Sequence, residues 1–135
     1  MCIENKALEI ANRNKVAMLG TVDEMGNPCI KAMLYIIHDG LRVFWFCSNT
    51  SSKRKGQITR NPNTCLYFYE GYEGVMLKGN AEISYDDGMR NHLWDDNMYY
   101  HYPQGPKDPD YMLIKFTATS GNFYSEKKNV DFAIL

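Results

Sequence analysis

PCIKAMLYIIHDGLRVFWFCSNTSSKRKGQITRNP, residues 28–62, is the stretch on which the reading of this chain turns. Apolar runs at residues 28–37 and 41–47 flank Asp39 and Gly40, the dipeptide that most strongly signals a tight hairpin between antiparallel strands. The second run gives way to Ser48, Asn49, Thr50, Ser51 and Ser52, then to Lys53, Arg54 and Lys55 and a short helix stopped at Asn61 and Pro62. A bound phosphate asks for this arrangement. N–H groups at a helix start carry partial positive charge, hydroxyls add donors, and the cations add formal charge. Solvated cations on a surface helix are the commoner meaning of a charge run. Here the cations fall in the helix's first turn, where the macrodipole disfavours them, so an anion should compensate. The apolar, aromatic strand in front gives the organic remainder of a phosphorylated ligand a place to lie.

Outward from this stretch, the chain reads as more strands joined by tight turns. On the N-terminal side, residues 3–12 have helical spacing with a packing role, residues 15–22 form a strand, and residues 23–27, with Gly26, form a turn. On the C-terminal side, strands are expected at residues 63–69 and 75–84, with a turn at residues 71–74. Asp86 and Asp87 can cap a helix running to about Met98. Residues 99–110, with Pro103, Pro106, Pro109 and Gly105, read as a functional or mobile surface loop, and residues 86–110 together are expected to shape an acceptor pocket. A sixth strand follows at residues 111–119, and Phe123 and Tyr124 extend a seventh. The expected fold is mainly β: one domain over residues 1–135, a six- or seven-stranded antiparallel barrel, closed or partly closed, with flanking helices. An open six-stranded sheet would leave edges exposed to aggregation.

Composition narrows the function. With 135 residues the chain can bury a core without metal or disulfide staples; its aromatic richness, with ten Tyr, would suit base stacking, but a net charge of -1 does not suit a nucleic-acid module that relies on a basic surface. Salt-dependent binding to single strands would be needed to restore that reading. Cys2, Cys29, Cys47 and Cys65 lack paired spacing, which reads as small buried hydrophobes in a reducing compartment. His38, His92 and His101 lack partners at ligand spacing, so no metal site is expected; His38 is placed at a hairpin tip, and His92 and His101, which flank Tyr99, Tyr100 and Tyr102, on the surface in preference to the substrate side of a pocket. No membrane-length apolar run, signal peptide, nucleophile triad, or Rossmann or Walker phosphate loop is present, so a cytoplasmic protein without its own nicotinamide domain is expected.

The segments PCIKAMLYII, DGLRVFWFCSNTSSKRKGQITRNPNTCLYF and GVMLKGNAEI, in that order, resemble the flavin-binding core of the pyridoxamine 5'-phosphate oxidase family. The likeness runs over residues 15–124 and is strongest to the short branch that includes the general stress proteins. The resemblance implies a split β-barrel that forms a homodimer and holds FMN at the subunit interface. It puts Lys31 on the flavin phosphate, Ala32, Met33 and Leu34 along the flavin ring, and Cys47 and Ser48 beside the ribityl chain and phosphate. Ser52, Lys53 and Arg54 match the phosphate clamp, and Tyr124 matches an aromatic that reaches the partner's flavin. Relatives with similar barrels take haem or a deazaflavin, and haem would need an axial ligand.

The chain departs from the true oxidases after Tyr124. Those enzymes hold their substrate with an Arg-x-His pair, whereas SEKKNVDFAIL has neither residue, and Lys127 and Lys128 read as solvated. Oxidation of vitamin B6 is therefore not expected. The expected function is an FMN-dependent oxidoreductase passing electrons from an NAD(P)H-like donor to a small-molecule acceptor. The alternative is a non-catalytic FMN-binding or stress-response protein. No catalytic acid or base stands out, because the cofactor carries the chemistry.

Overall fold

The computed structural model describes residues 2–134. In chain order the elements are α1 (Ile3–Arg13), β1 (Val16–Val22), β2 (Pro28–Asp39), β3 (Val43–Asn49), α2 (Lys53–Arg60), β4 (Asn63–Glu70), β5 (Glu73–Ser84), α3 (Asp87–His92), β6 (Tyr111–Ser125) and β7 (Lys128–Ala133). Short 3₁₀ turns at Asp96–Tyr100 and Gly105–Lys107 fill the crossing from α3 to β6.

Alternation decides which side chains face inward. In β1, Ala17, Leu19 and Thr21 are buried while Val16 is exposed, and β3 buries Phe44, Phe46 and Ser48 in the same rhythm. The strands run antiparallel in the order β3-β2-β1-β4-β5-β6, and β3 returns to pair with β6, closing a six-stranded barrel. Its interior holds Leu19, Phe44, Phe46, Leu66, Phe68, Leu77, Ile114 and Phe116, and α1 packs against it through Ala7, Ile10 and Ala11. Each fully buried large side chain contributes roughly 1.5–3 kcal/mol.

The last strands differ from expectation. Phe123 and Tyr124 do not form a seventh strand; they belong to β6, which runs unbroken for 15 residues. The seventh strand is β7, which pairs with the end of β6 from Ser120 to Ser125. Gly121 lies within the strand, paired with Leu77 and Phe132, and glycine is needed there because the ring of Phe132 on β7 occupies the space a Cβ would take. The turn between β6 and β7 is at Glu126 and Lys127, both with positive φ.

The helix expected to reach Met98 stops at His92. Asp95 starts a new turn by accepting from the Asn97 N–H at 2.8 Å, so a second cap interrupts the first helix. Residues 99–110 are more than surface loop. Tyr102 and Asp108 are buried, and Asp108 accepts from the backbone N–H groups of Gln104 and Asp110. Tyr102, Leu93, Tyr111 and Leu113 form a second core on which Trp45, Met89, Trp94 and Met98 pack.

The barrel is incomplete along one seam. β2 pairs with β3 only from Tyr35 to Asp39, with Ile36 the extra residue of a bulge. Residues 28–34 of β2 pair with β1 alone, and residues 47–49 of β3 with β6 alone. The two strands part there, and the outer edge of residues 28–34 has no strand partner.

Candidate functional site

The seam opens into a groove of about 590 Å³, within the size range of small-ligand sites. Lys31, Ala32, Met33 and Leu34 form one wall, Cys47, Ser48 and Asn49 the opposite wall, and Ser51, Ser52 and Arg54 the closed end. Met98, His101 and Tyr102 of the α3–β6 crossing make the third side. The edge of β2 thus offers unpaired backbone N–H and C=O groups to a flat ligand, while hydroxyls and two cations gather at one end.

Local folding sets the cationic end. Ser52 is the N-cap of α2, and its Oγ accepts from the Arg54 N–H at 3.1 Å and from Arg54 Nε at 2.8 Å. The cap therefore also fixes the guanidinium. The hairpin-like turn ahead of α2 is tied by the Ser52 N–H donating to the Asn49 carbonyl at 3.0 Å. Thr50, grouped by sequence with the hydroxyls of this entrance, turns away: its Oγ1 donates to Asp110 at 2.7 Å, and its N–H donates to the Asp110 carbonyl. That pair fastens the α3–β6 crossing to the start of α2. A second tie is Tyr102, whose hydroxyl donates to Asn49 Oδ1 at 2.9 Å.

Protonation at the groove is one-sided. Burial pushes the Cys47 thiol up to about 11, so it stays neutral, with its Sγ 3.9 Å from the Tyr111 hydroxyl. The Tyr102 phenol is also pushed up, first by burial and then by Cys47, Asp110 and Asp108. Neither group is a ready base at neutral pH.

Of the residues picked out from the sequence, Lys31, Ala32, Met33, Leu34, Cys47, Ser48, Ser52 and Arg54 come together around this groove. Lys53 and Tyr124 stand outside it: Lys53 is exposed on the first turn of α2, and Tyr124 sits on β6 opposite Gly74 and Asn129. Asn49 and Ser51, which the sequence groups with the hydroxyls of this entrance, line the groove as well; Ile36 and Met98 were not singled out, and His101, for which the surface was preferred, lines the groove. His38 lies on β2, not at the hairpin tip, stacked on Phe44 with ring centroids 5.0 Å apart. His92 is exposed on α3.

Comparison with known proteins bears on this geometry. No curated protein matches the chain. Among solved structures, a Clostridium acetobutylicum protein related to general stress protein 26 of B. subtilis is 40% identical, with 97% of this chain and 94% of that chain covered and a TM-score of 0.88. General stress protein 26 from Bacillus anthracis is 22% identical, covering 98% of this chain and 100% of that one with a TM-score of 0.80. A heme binding protein from Mycobacterium smegmatis shares the fold at 13% identity and a TM-score of 0.79, with 98% of this chain and 58% of that chain covered. The sequence model of the pyridoxamine 5'-phosphate oxidase family matches residues 3–125, and with the split barrel and these relatives it shows that the chain belongs to that family, in its general stress protein 26-like group.

Proposed function

We propose that this protein is a cytoplasmic, homodimeric FMN-binding oxidoreductase that accepts electrons from an NAD(P)H-like donor and passes them to a small acceptor other than pyridoxamine phosphate. The observation that carries the reading is the split seam, where an unpaired strand edge faces a capped helix start bearing hydroxyls and Arg54. The residues fit the cofactor. Ser52, Arg54 and Lys31 suit a phosphate dianion, whose charge-assisted hydrogen bonds are roughly twice as strong as neutral ones. The edge of residues 31–34 suits the polar rim of a flat ring, with Met33 and Leu34 supplying apolar contact, and Cys47 and Ser48 flank the linking chain. Bound there, a flavin would supply the electron-accepting and electron-donating chemistry that these side chains lack. Residues 125–134 contain neither Arg nor His, so the grip that the true oxidases use on their substrate is missing.

The homodimer is supported by a surface. Register places Val16 beside Leu34, Met18 between Ala32 and Tyr67, and Gly20 between Ile30 and Cys65, all on the outer side of β1, β2 and β4. Ile30, Leu34, Val16 and Tyr67 are exposed there, an apolar face too continuous for a lone barrel. A second copy covering it would also cover the open side of the groove, since Ala32 and Leu34 belong to both.

The absorption spectrum and mass of the co-purifying molecule test the reading directly. A flavin spectrum, bleached by NADH or NADPH and restored by an acceptor, is the expected result. Failure of the purified protein to take up FMN would overturn it. A bound flavin that no nicotinamide reduces would favour a storage or sensing role. His101 gives a haem reading one foothold, as a histidine that lines the groove; a Soret band would favour it.

A further inference from the structure

The groove continues past its apolar end. Leu34, Ile36 and Met98 line it and also line a second chamber of about 500 Å³ further along β2. Met98 is the partition, and it is held in place: its N–H donates to the Asp95 carbonyl at 2.8 Å, and its sulfur accepts from the Asp95 N–H at 3.3 Å. Beyond it stand Asn12, Asn14, Lys15, His38, Asp95 and Asn97, brought from α1, β2 and the α3–β6 crossing. Leu93 and Tyr35 complete the apolar lining.

We propose that this chamber binds an aromatic carboxamide, seating its ring against Leu34, Ile36 and Met98 and its amide among the polar groups. Three carboxamides and an ammonium supply donors, while Asp95 and the asparagine carbonyls supply acceptors, so a ligand group that both donates and accepts is matched. A carboxylate in the same place could pair with Lys15 but would meet the charge of Asp95. Asn14 is fixed in position by donating Nδ2 to the Ile10 carbonyl at 2.9 Å, which leaves its own carbonyl to accept. No ion pair among the described residues uses Lys15. The chamber adjoins the wall proposed for the flavin ring, so a carboxamide-bearing electron donor would lie next to it. This last step rests on the flavoprotein reading; the binding of a carboxamide does not.

The test uses nicotinamide as the probe and benzoate as the anionic comparison, with binding read by saturation-transfer NMR and calorimetry on the whole protein. FMN uptake is measured separately by fluorescence quenching. Nicotinamide is expected to bind and benzoate to bind more weakly. Asn97→Leu should weaken nicotinamide about five- to tenfold, the loss of one hydrogen bond, and Asn12→Trp, at an exposed helix position, should block the chamber. Both variants should take up FMN as the parent does. Undetectable nicotinamide binding, or binding that both variants leave unchanged, overturns the chamber; tighter binding of benzoate overturns the carboxamide assignment. Failure of FMN uptake with nicotinamide still bound would sink the flavoprotein reading and support the chamber.

Discussion

Ser52 performs two tasks with one oxygen, capping α2 and holding the Arg54 guanidinium toward the groove. This separates three cations that look equivalent in sequence. Lys53 and Lys55 are exposed and line no part of the groove, while Arg54 is half-buried in it. With charged hydrogen bonds contributing about 1.5–3 kcal/mol, Arg54→Ala should weaken FMN binding about ten- to hundredfold, and Lys53→Ala or Lys55→Ala only slightly. Fluorescence titration of the three variants checks this, and equal losses would place the anion elsewhere. The residue types of this end were legible because capping and charge are local properties. That residues 86–110 would border a pocket was legible, but which of their side chains face the groove, Met98, His101 and Tyr102, was not, because that segment's pattern has no regular period.

At the scale of elements, the groove depends on β2 and β3 parting and the barrel on β6 staying whole. β6 steps over an irregularity where Lys78 pairs with Ser120 and Gly79 with Ala118, leaving Thr119 as the extra residue. Gly79 is needed there because a Cβ would collide with the Thr117 carbonyl, a backbone atom that cannot swing aside. At Gly121 the obstacle is the side chain of Phe132, on the terminal strand. Gly79→Ala should therefore cost about 2–3 kcal/mol or more, within the range for overpacking, and Gly121→Ala less, mainly by loosening β7. Urea unfolding with an unchanged m-value would measure both, and a larger loss at Gly121 would contradict the assignment. Strands β1 to β5 were legible from alternation and turn dipeptides. β7 was missed because half of its six residues are polar and it lacks a strict alternation of apolar and polar residues.

At the scale of the whole molecule, two expectations follow. Ile30 is 73% exposed on the outer apolar face and lies outside the groove. Ile30→Glu should keep the barrel folded but shift sedimentation from dimer to monomer; an unchanged dimer would move the interface elsewhere. The second concerns alkaline pH. Burial raises the Cys47 thiol to about 11 and the Tyr35 phenol to about 12, against about 8.5 and 10 in an unfolded chain. Since the unfolded state loses these protons first, their contribution is full below the unfolded values and is lost as pH rises through the window up to the folded ones. The melting temperature should hold from neutral pH to about 8.5 and fall above it. A flat profile up to about pH 11 would mean that water reaches both groups. Closure into a barrel was legible from the need to cover edges, but its means was not, because the pairing of β3 with β6 leaves no local mark.

That pairing also governs when the site can exist. Val43 meets Thr117 and Asn49 meets Tyr111, so the ring closes through contacts far apart along the chain. Such contacts form slowly, since the entropy of a long loop must be lost before they are made. During synthesis, β1 to β5 and the turn ahead of α2 leave the ribosome before the strand that encloses them. Asp110 and Tyr102, which fasten the turn through Thr50 and Asn49, emerge at the same late stage. Cofactor capture is thereby confined to the completed chain, and a nascent fragment ending before β6 should not retain it.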